Sequence, residues 1–372
     1  MKIATIVGTR PELIKLSAVI KRLDIVCDHL LIHTGQNFDF ELNEIFFNDL
    51  EIRKPNIFLD AAGDSFAHTI SQIISKSYDV LVKENPDAVL IYGDTNSSLS
   101  VIVAKRLKIP VFHMEAGNRC FDERVPEELN RKIVDHLSDI NMPISDHARN
   151  YLEREGISPD TIIKIGSSMP EVLNNQKKKI NSSNILSKLN LKEKEFIVIS
   201  LHREENVDNP SNLINIINSI NEIVKIYKKK VIFSIHPRTK NKLNLFGLED
   251  KLLPDVIQLK PLGFNDYIKL QQSSFCVISD SGTISEESSI LKFPAITIRQ
   301  SHERPEAMDE GTVIMTGFVT KNIIDSIKIV TSKDATNITT ATDYNAENIS
   351  EKVVRIIFSY VDYINRNVWK KF

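Results

Sequence analysis

The chain has 372 residues, of which 42% are hydrophobic and 26% are charged, and its formal net charge is −2. This length favours two domains, and a balanced charge without a dense basic run argues against a nucleic-acid-binding protein. No apolar run approaches the roughly 20 residues that a membrane-spanning helix needs. Three widely spaced cysteines and the absence of a recognisable signal peptide predict a cytoplasmic protein without disulfides.

The predicted strands are short runs rich in isoleucine and valine, and they alternate with longer helix-like segments. In the first half the predicted strands are Lys2–Val7, Leu30–Thr34, Ala88–Tyr92, Val111–Glu115, Ile140–Pro143 and Ile162–Ile165, and the helices are Glu12–Leu23, Phe66–Glu84 and Ser97–Leu107. In the second half the strands are Phe196–Leu201, Lys230–Ile235, Val256–Leu259, Cys276–Ile278 and Ala295–Ile298, and the helices are Leu213–Tyr227, Phe264–Gln272 and Ile284–Leu291. This alternation predicts parallel sheets covered by helices on both faces. We expect an α/β fold with two doubly wound, Rossmann-like domains facing each other across a cleft, divided within the polar stretch Asn174–Lys194.

Polar motifs follow six predicted strands, at the carboxyl ends where open parallel sheets bind ligands. The motifs are Gly8–Glu12, Gly93–Thr95, Met114–Gly117, His202–Asn206, His236–Arg238 and Ser279–Thr283. No Gly-x-Gly-x-x-Gly sequence follows the first strand, which argues against a dinucleotide site.

The turn Ser281-Gly282-Thr283 joins a predicted strand to a predicted helix. Unpaired backbone N–H groups and the helix dipole favour an anion there, and Gly282 allows the anion to approach the backbone. The hydroxyls of Ser281 and Thr283 add donors, so a diphosphate fits the turn. Glu287, one helical turn later, is placed to accept hydrogen bonds from a ribose diol. An ordinary N-capped turn is the alternative interpretation.

Three carboxylates are candidates for acid/base chemistry: Asp94, Glu115 and Glu127. Asp94 and Glu115 end buried-looking strands, where an unpartnered carboxylate is costly. Neighbouring carboxylates shift each other's pKa values and can share acid and base roles. Helix capping is the alternative for Asp94, and stabilisation of the helix dipole is the alternative for Glu127.

Two histidines and several cations complete the candidate set. His202 follows a strand beside Arg203, where an imidazole can donate to a developing oxyanion or a leaving phosphate. Helix capping is its alternative, and His236 is a weaker candidate with a structural alternative. Positive charge for a diphosphate is available at Arg10, Lys15, Arg131, Arg203 and Arg304. No metal-binding spacing such as His-Glu-x-x-His or Cys-x-x-Cys is present.

Taken together, these motifs resemble the non-hydrolysing UDP-N-acetylglucosamine 2-epimerases along nearly the whole chain. The matching segments are Gly8–Glu12 with Lys15, Thr34–Gln36, Gly93–Thr95, Glu115–Gly117, Pro126–Arg131, His202–Asn206, His236–Pro237, Asp280–Glu287 and Glu303–Glu306. The resemblance implies the GT-B fold and a homodimer. It implies an N-terminal domain with the catalytic carboxylates at 1–173, a UDP-binding domain at 174–355, and a helix at 356–372 that crosses back to the first domain.

The resemblance also implies a mechanism. A base removes the proton at sugar carbon 2 while UDP leaves carbon 1, and UDP then adds back to the bound 2-acetamidoglycal with the proton returned on the opposite face. No NAD or other cofactor is implied. The implied acid/base set is Asp94, Glu115, Glu127 and His202, with no assignment of the base. The positions that match substrate-binding residues are Ser281 and Gly282 for the diphosphate, Glu287 for the ribose, and Arg10, Lys15, Arg131 and Arg304 around the nucleotide and sugar.

Departures from the glucosamine branch indicate a sister branch. Asn37 replaces the usual histidine after Thr-Gly-Gln, Thr283 replaces the second glycine of Ser-Gly-Gly, and the loop between Glu115 and Glu127 looks about two residues shorter. Together with Phe38–Glu44, Pro261–Phe264 and Ser285–Ser289, these features resemble epimerases that convert UDP-2-acetamido-2,6-dideoxy-L-talose to UDP-N-acetyl-L-fucosamine for capsule or O-antigen. The departures put activation by a second substrate molecule in doubt. UDP-N-acetylglucosamine itself is the other candidate substrate.

Three other functions share these signals. A GT-B glycosyltransferase would use the same fold and diphosphate site but would not need three carboxylates in the first domain. A hydrolysing epimerase would release free UDP. A nucleotide-sugar-binding regulatory module would bind the ligand without turnover.

Overall fold

The structure is a computed structural model that describes residues 1–36, 40–332 and 339–371, with only the backbone described at 40–44. Asn37 and the side chains of the Phe38–Glu44 motif therefore lie outside the described residues. The chain forms two compact units, one of Met1–Asn175 with Asp343–Phe372 and the other of Gln176–Thr342. The expected boundaries at 173/174 and 355/356 stay predictions. The polar stretch at 174–194 is largely helical.

The first unit is built on a six-stranded parallel sheet with the strand order β3-β2-β1-β4-β5-β6. Its strands are β1 (Lys2–Val7), β2 (Asp28–His33), β3 (Ile57–Phe58), β4 (Ala88–Tyr92), β5 (Val111–Met114) and β6 (Ile140–Met142). Its helices, in chain order, are α1 (Arg10–Val26), α2 (Phe40–Leu50), α3 (Phe66–Glu84), α4 (Val101–Arg106), α5 (Pro126–Leu137), α6 (Asp146–Arg154) and α7 (Met169–Ser182), the last of which continues into the second unit. The strands are apolar along their length because helices cover both faces of the sheet, and every residue of β4 is buried.

The second unit repeats this plan with the strand order β12-β11-β10-β7-β8-β9, again all parallel. Its strands are β7 (Phe196–Leu201), β8 (Lys230–Ile235), β9 (Val256–Leu259), β10 (Cys276–Ser279), β11 (Ala295–Thr297) and β12 (Ile314–Met315). Its helices are α8 (Ile185–Lys188), α9 (Glu204–Val207), α10 (Pro210–Tyr227), α11 (Pro237–Leu245), α12 (Phe264–Ser273), α13 (Ile284–Leu291), α14 (Pro305–Asp309) and α15 (Thr320–Val330). The expected α/β class with two doubly wound sheets is confirmed.

The last helix, α16 (Ile349–Asn367), belongs to the first unit and packs against α1. Its buried face presents apolar side chains to that unit, and Arg22 of α1 donates a hydrogen bond to Glu351 at 2.9 Å. The backbone N–H and the hydroxyl of Ser350 donate to the carboxylate of Glu171 in α7. Within the described residues, no helix is both long and apolar enough to cross a membrane.

Two predicted elements differ in the structure. The strand predicted at Ile162–Ile165 does not form a regular strand: Ile162 makes an isolated bridge to Asn141, and the N–H groups of Ile163 and Ile165 donate to the carbonyls of Asn141 and Pro143 at 2.9 and 3.0 Å. The helix predicted at Ser97–Leu107 begins as a 3-10 helix at Asn96–Ser100 before α4 starts.

In each sheet, successive strands are added first toward one edge and then toward the other. The change occurs between β1 and β4 in the first unit and between β7 and β10 in the second, and we call each such place a switch point. Ligands of open α/β sheets bind beyond the carboxyl ends of the strands at such a point. The loops that begin at Gly8, Gly93, His202 and Asp280 follow these four strands, so four predicted motifs lie at the two switch points.

Candidate active site

Asp94 follows β4 and is held by the start of α5. The guanidinium of Arg131 contacts one Asp94 carboxylate oxygen through Nε at 2.8 Å and through Nη2 at 2.7 Å. The side-chain amide of Asn130 donates to the Asp94 carbonyl at 2.9 Å. Arg131 is buried whereas the Asp94 carboxylate is 22% exposed. The buried guanidinium therefore fixes the orientation of the carboxylate, which remains accessible to solvent.

Glu115 follows β5, the strand that pairs with β4. Its φ is +63°, a left-handed conformation that costs a non-glycine residue on the order of 1 kcal/mol. The Tyr92 hydroxyl donates to its carboxylate at 2.5 Å. Because Tyr92 and Met114 are partners in the sheet, Asp94 and Glu115 leave neighbouring strands at the same edge. A strained, oriented carboxylate beside a second carboxylate is typical of an acid/base site.

Glu127 and Glu128 lie together in the first turn of α5 but have different surroundings. Glu127 is half-buried, whereas Glu128 is buried and accepts hydrogen bonds from the backbone N–H groups of Cys120 and Phe121, both at 3.1 Å. Burial would raise the pKa of Glu128, but the Cys120 N–H and Arg131, at 2.7 Å, hold it below its usual value. Glu128 therefore anchors the loop at 118–125 and supports Arg131. The sequence motif named Arg131 and missed this role of Glu128.

Glu12 belongs to the predicted Gly8–Glu12 motif, but its structural role was not predicted. It is buried in the first turn of α1 and accepts hydrogen bonds from the Gly8 N–H at 3.1 Å and the Thr9 hydroxyl at 2.7 Å. The hydroxyls of Thr95 and Ser97 also donate to it from the loop after β4. Burial raises the pKa of Glu12 to about 7, and the four donors moderate that rise. Glu12 thus ties together the two loops at the switch point of the first unit.

Arg10 and Lys15 both lie in the first half of α1. The Arg10 guanidinium lies 5.7 Å from the centre of the Phe46 ring, a cation–π distance. Lys15 is buried. The roles of both side chains toward a ligand stay predictions.

Asp280, at the switch point of the second unit, binds several residues of the loop that follows β7. It is fully buried and accepts hydrogen bonds from the backbone N–H groups of His202 and Arg203 at 3.0 Å and from the Asn206 amide at 2.8 Å. Its Oδ1 also lies 2.9 Å from His202 Nδ1. Burial would raise the pKa of Asp280, but His202 and the backbone donors hold it below its usual value.

His202 is consequently oriented by a carboxylate and does not cap a helix. With Nδ1 facing Asp280, the other ring nitrogen points away from the carboxylate, and the side chain is 39% exposed. The ring centre of His236 lies 6.0 Å away. His236 is the N-cap of α11, and its Nδ1 accepts a hydrogen bond from the Arg238 N–H at 3.2 Å. His236 therefore has the structural role that was its alternative interpretation, and a role in binding a ligand stays a prediction.

The Ser281 turn follows β10 and leads into α13. The hydroxyls of Ser281 and Thr283 lie 3.0 Å apart, and Thr283 is the N-cap residue without a side-chain cap bond. A Cβ atom on Gly282 would lie 2.6 Å from Glu303 Oε1, so a larger residue requires this carboxylate to move. On its Cβ side the turn therefore packs closely against Glu303.

A buried cluster of charged side chains surrounds this turn. Glu303 contacts Arg299 Nη1 at 2.7 Å and Arg203 Nη2 at 3.3 Å, and Arg304 lies 3.8 Å from Glu286. A small cavity of about 20 Å³ is lined by residues of the cluster and the turn, among them Ser281, Gly282, Arg299, His302, Glu303 and Arg304. Sequence reasoning named Arg304 and missed Arg299, although Arg299 also follows a predicted strand.

Glu287 is buried on α13, and Gln271 of α12 donates a hydrogen bond to it at 2.8 Å. Burial raises the pKa of the nearby Tyr267 hydroxyl, and the Glu287 carboxylate adds to that rise. Gln271 thus fixes the orientation of Glu287 within its own unit. Among the described residues, no group of histidine, cysteine and acidic side chains is suited to hold a metal ion.

A sequence profile described as UDP-N-acetylglucosamine 2-epimerase matches residues 22–358. The chain belongs to this epimerase family. The solved UDP-N-acetylglucosamine 2-epimerase from Rickettsia bellii is 50% identical and superimposes with a TM-score of 0.90 over 100% of both chains. The expected family and GT-B type fold are confirmed.

Two further relatives have names that specify different UDP-sugars. The Methanocaldococcus jannaschii UDP-GlcNAc 2-epimerase, solved in complex with UDP-GlcNAc and UDP, is 36% identical with a TM-score of 0.91 over 96% of this chain and 100% of its own. The UDP-2,3-diacetamido-2,3-dideoxy-D-glucuronate 2-epimerase of Pseudomonas aeruginosa is 35% identical over 88% of this chain and 92% of its own. Relatives at nearly equal identity thus carry names with different sugars.

Proposed function

We propose that this protein epimerises carbon 2 of a UDP-N-acetylhexosamine. The proposal is carried by the side chains that lie at the switch points of the two sheets. One bears the oriented carboxylates Asp94 and Glu115, and the other bears an anion-binding turn at Ser281 beside His202. The proposal assigns the nucleotide to the second unit and the proton transfer at carbon 2 to the carboxylates of the first unit.

The proposed reaction is an elimination followed by an addition. One of Asp94, Glu115 and Glu127 takes the proton from carbon 2, and the electrons of that C–H bond form the C1=C2 double bond as UDP leaves with the C1–O electrons. UDP then adds back to carbon 1, and a proton returns to the opposite face of carbon 2. The sequence of steps is redox-neutral, so it does not call for NAD or another cofactor.

The leaving diphosphate gains negative charge in this reaction, and the second unit has donors for it. The backbone at Gly282 and the hydroxyls of Ser281 and Thr283 would hold the phosphates, and His202, polarised by Asp280, would donate to the departing oxygen. Glu287 would accept from the ribose. Further positive or polar groups for the substrate are Arg10, Lys15, Arg131, Arg203, His236 and Arg304.

For the sugar, we favour UDP-2-acetamido-2,6-dideoxy-L-talose, with UDP-N-acetyl-L-fucosamine as the product. The support is the loop between Glu115 and Glu127, which the sequence indicates to be about two residues shorter than in the glucosamine branch. The comparison that decides this is turnover of the 6-deoxy-L-talo substrate against UDP-N-acetylglucosamine. Faster turnover of UDP-N-acetylglucosamine would overturn the assignment of the sugar and leave the reaction type intact.

We further propose a cytoplasmic homodimer. The support for the dimer is α3, where the large apolar side chains of Phe66, Tyr78 and Val82 are exposed. A second copy of the chain would cover them, and light scattering of the Tyr78→Glu variant would then report a monomer. For the cytoplasm, the support is that Cys27, Cys120 and Cys276 are all free thiols.

The decisive test of the reaction is incubation with the UDP-sugar in deuterated water. Deuterium at carbon 2 of the recovered UDP-sugar is expected, because the base exchanges its proton with solvent. A glycosyltransferase or a binding module would leave carbon 2 unlabelled, and a hydrolysing epimerase would accumulate free UDP.

The variants Asp94→Asn and Glu115→Gln test the assigned residues. Each is expected to lower turnover about 100-fold or more, the usual scale for acid/base groups, with a much smaller change in UDP affinity. Asp250→Asn, at an exposed carboxylate in the 3-10 helix Glu249–Lys251, is the matched control. Equal losses of binding and turnover would show that Asp94 and Glu115 are structural.

A further inference from the structure

We propose that Gln271 is a positioning residue that sets the preference of the nucleotide site for ribose over 2′-deoxyribose, acting through Glu287. This inference rests on the proposed function, in which Glu287 accepts hydrogen bonds from the ribose diol. It adds the residue that holds this carboxylate in place, and it names the class of nucleotide that the site selects, a ribonucleoside diphosphate.

The contact between the two side chains joins helices α12 and α13 of the second unit. Gln271 Nε2 donates a hydrogen bond to Glu287 Oε2 at 2.8 Å, and the exposed fractions of the two residues are 1% and 7%. Because a carboxylate only accepts hydrogen bonds, the nitrogen of the amide must face Glu287. The orientation of the Gln271 amide is therefore set by its partner.

Gln271 is itself held by residues on its other side. The side chains of Gln271 and Ser200 lie within hydrogen-bonding range of the hydroxyl of Tyr267, which is one helical turn earlier in α12. Ser200 belongs to β7, so this contact ties the helix to the sheet. The backbone carbonyl of Gln271 accepts from the Ser274 hydroxyl at 2.8 Å. The amide thus has little freedom to turn away from Glu287.

Stability alone does not account for an amide at this position. Gln271 Oε1 is buried and makes no hydrogen bond within the described part of the chain. A buried acceptor without a donor lowers the free energy of unfolding, and methionine, an apolar side chain of similar length, would avoid that loss. What the amide supplies and methionine would not is a donor to the Glu287 carboxylate.

Glu287 lies on the same helix as the turn assigned to the diphosphate. Its backbone N–H donates to the Thr283 carbonyl at 2.9 Å, so it follows that turn by one turn of α13. The 5′ carbon and its oxygen join the ribose of a nucleotide to the diphosphate, so both groups must be bound at a limited separation. The helix backbone sets that separation. Gln271 then fixes what remains variable, the rotamer of the Glu287 side chain.

A carboxylate held in one rotamer should distinguish a hydroxyl from a hydrogen atom better than a mobile carboxylate does. Binding of a ribose then costs no ordering of the side chain. A 2′-deoxyribose lacks one of the two hydroxyls, so an acceptor in the buried carboxylate loses its donor. If Glu287 could rotate, it would turn toward other donors, and the penalty for the missing hydroxyl would fall.

The test is titration of the full-length protein with UDP and with 2′-deoxy-UDP. Wild type is expected to bind UDP about 10- to 100-fold more tightly, the range of one hydrogen bond to a charged group. In Gln271→Met this ratio should fall to about threefold or less, chiefly because UDP binds less tightly. Gln272→Met, at the next position of α12, is the matched control and should keep the wild-type ratio.

A double-mutant cycle with Glu287→Gln shows whether Gln271 acts through Glu287. Glu287→Gln alone should lower the ratio, and adding Gln271→Met should change it little further. Independent, additive losses would overturn the positioning role, and so would a wild-type ratio in folded Gln271→Met or an equal loss in Gln272→Met. If Gln271→Met does not fold, Gln271→Asn takes its place, because it keeps an amide but is one methylene group too short to keep the contact.

The outcomes separate this inference from the proposed function. If wild type and Gln271→Met prefer UDP equally, the inference fails while the assignment of Glu287 to the ribose stands. If wild type binds both nucleotides equally, that assignment is wrong and the inference fails with it. Labelling of carbon 2 in deuterated water still decides the reaction in either case.

Discussion

Replacing Gly282 by alanine tests the assignment of the diphosphate turn most directly. The φ of Gly282 is outside the left-handed region, so alanine can adopt the backbone, and the conflict is steric alone. The new methyl would lie 2.6 Å from Glu303 Oε1, and ordinary contact begins at 3.4 Å, so the carboxylate must retreat by about 0.8 Å (3.4 − 2.6). That retreat stretches its contacts to Arg299 at 2.7 Å and Arg203 at 3.3 Å.

The expected cost follows from those two contacts. Hydrogen bonds to charged groups contribute about 1.5–3 kcal/mol each, and a partial loss gives about 2 kcal/mol in the free energy of unfolding. The assay is urea denaturation of the full chain for Gly282→Ala, Glu303→Ala and the double variant. Glu303→Ala removes the obstructing oxygen, so the alanine at 282 should cost clearly less in that background, which is a positive coupling in the double-mutant cycle.

UDP titration separates the steric effect from the role in binding. Affinity should fall about tenfold or more in both Gly282→Ala and the double variant, because the added methyl changes the packing of the turn whose backbone and hydroxyls are assigned to the diphosphate. Wild-type UDP affinity in the double variant would refute the reasoning, since it would show that the nucleotide does not approach this turn.

Three further predictions concern residues that support the site. The pKa of Glu12 is raised to about 7 from 4.5, so its contribution to the free energy of unfolding is fully present below pH 4.5 and is lost as the pH rises through 7. The loss is about 3 kcal/mol. In urea titrations between pH 5 and 8, wild type should therefore lose stability relative to Glu12→Gln, and parallel pH profiles of the two proteins would contradict this. Asp280→Asn should lower kcat about 100-fold at saturating substrate because His202 loses its carboxylate partner, and an unchanged kcat would remove His202 from the mechanism. Arg131→Lys, which keeps the charge but loses the fork that contacts Asp94, should lower kcat about tenfold with little change in UDP affinity, whereas a purely electrostatic role predicts wild-type kcat.

The sequence was sufficient for every strand except β3 and β12, for several of the helices, and for the positions of the motifs along them. The strands Ala88–Tyr92 and Phe196–Leu201 and the helix Phe66–Glu84 have the predicted bounds, because apolar runs and polar loops are local signals. The strand predicted at Ile162–Ile165 was wrong as a regular strand, since the segment makes only one bridge and two backbone hydrogen bonds to residues 141 and 143, and the extent of pairing is not encoded in the segment itself.

Which side chains meet was decided only by the tertiary structure. His202 and Asp280 are 78 residues apart in the chain, and they meet because β7 and β10 are neighbours at the switch point of the second sheet. Glu12 joins loops separated by 85 residues for the same reason in the first sheet. The chain by itself thus determined the fold class and which loops carry polar chemistry, since these follow from local patterns of apolar and polar residues. The partners of each carboxylate, and therefore its charge and orientation, depended on strand order, because only the sheet brings distant loops within hydrogen-bonding distance.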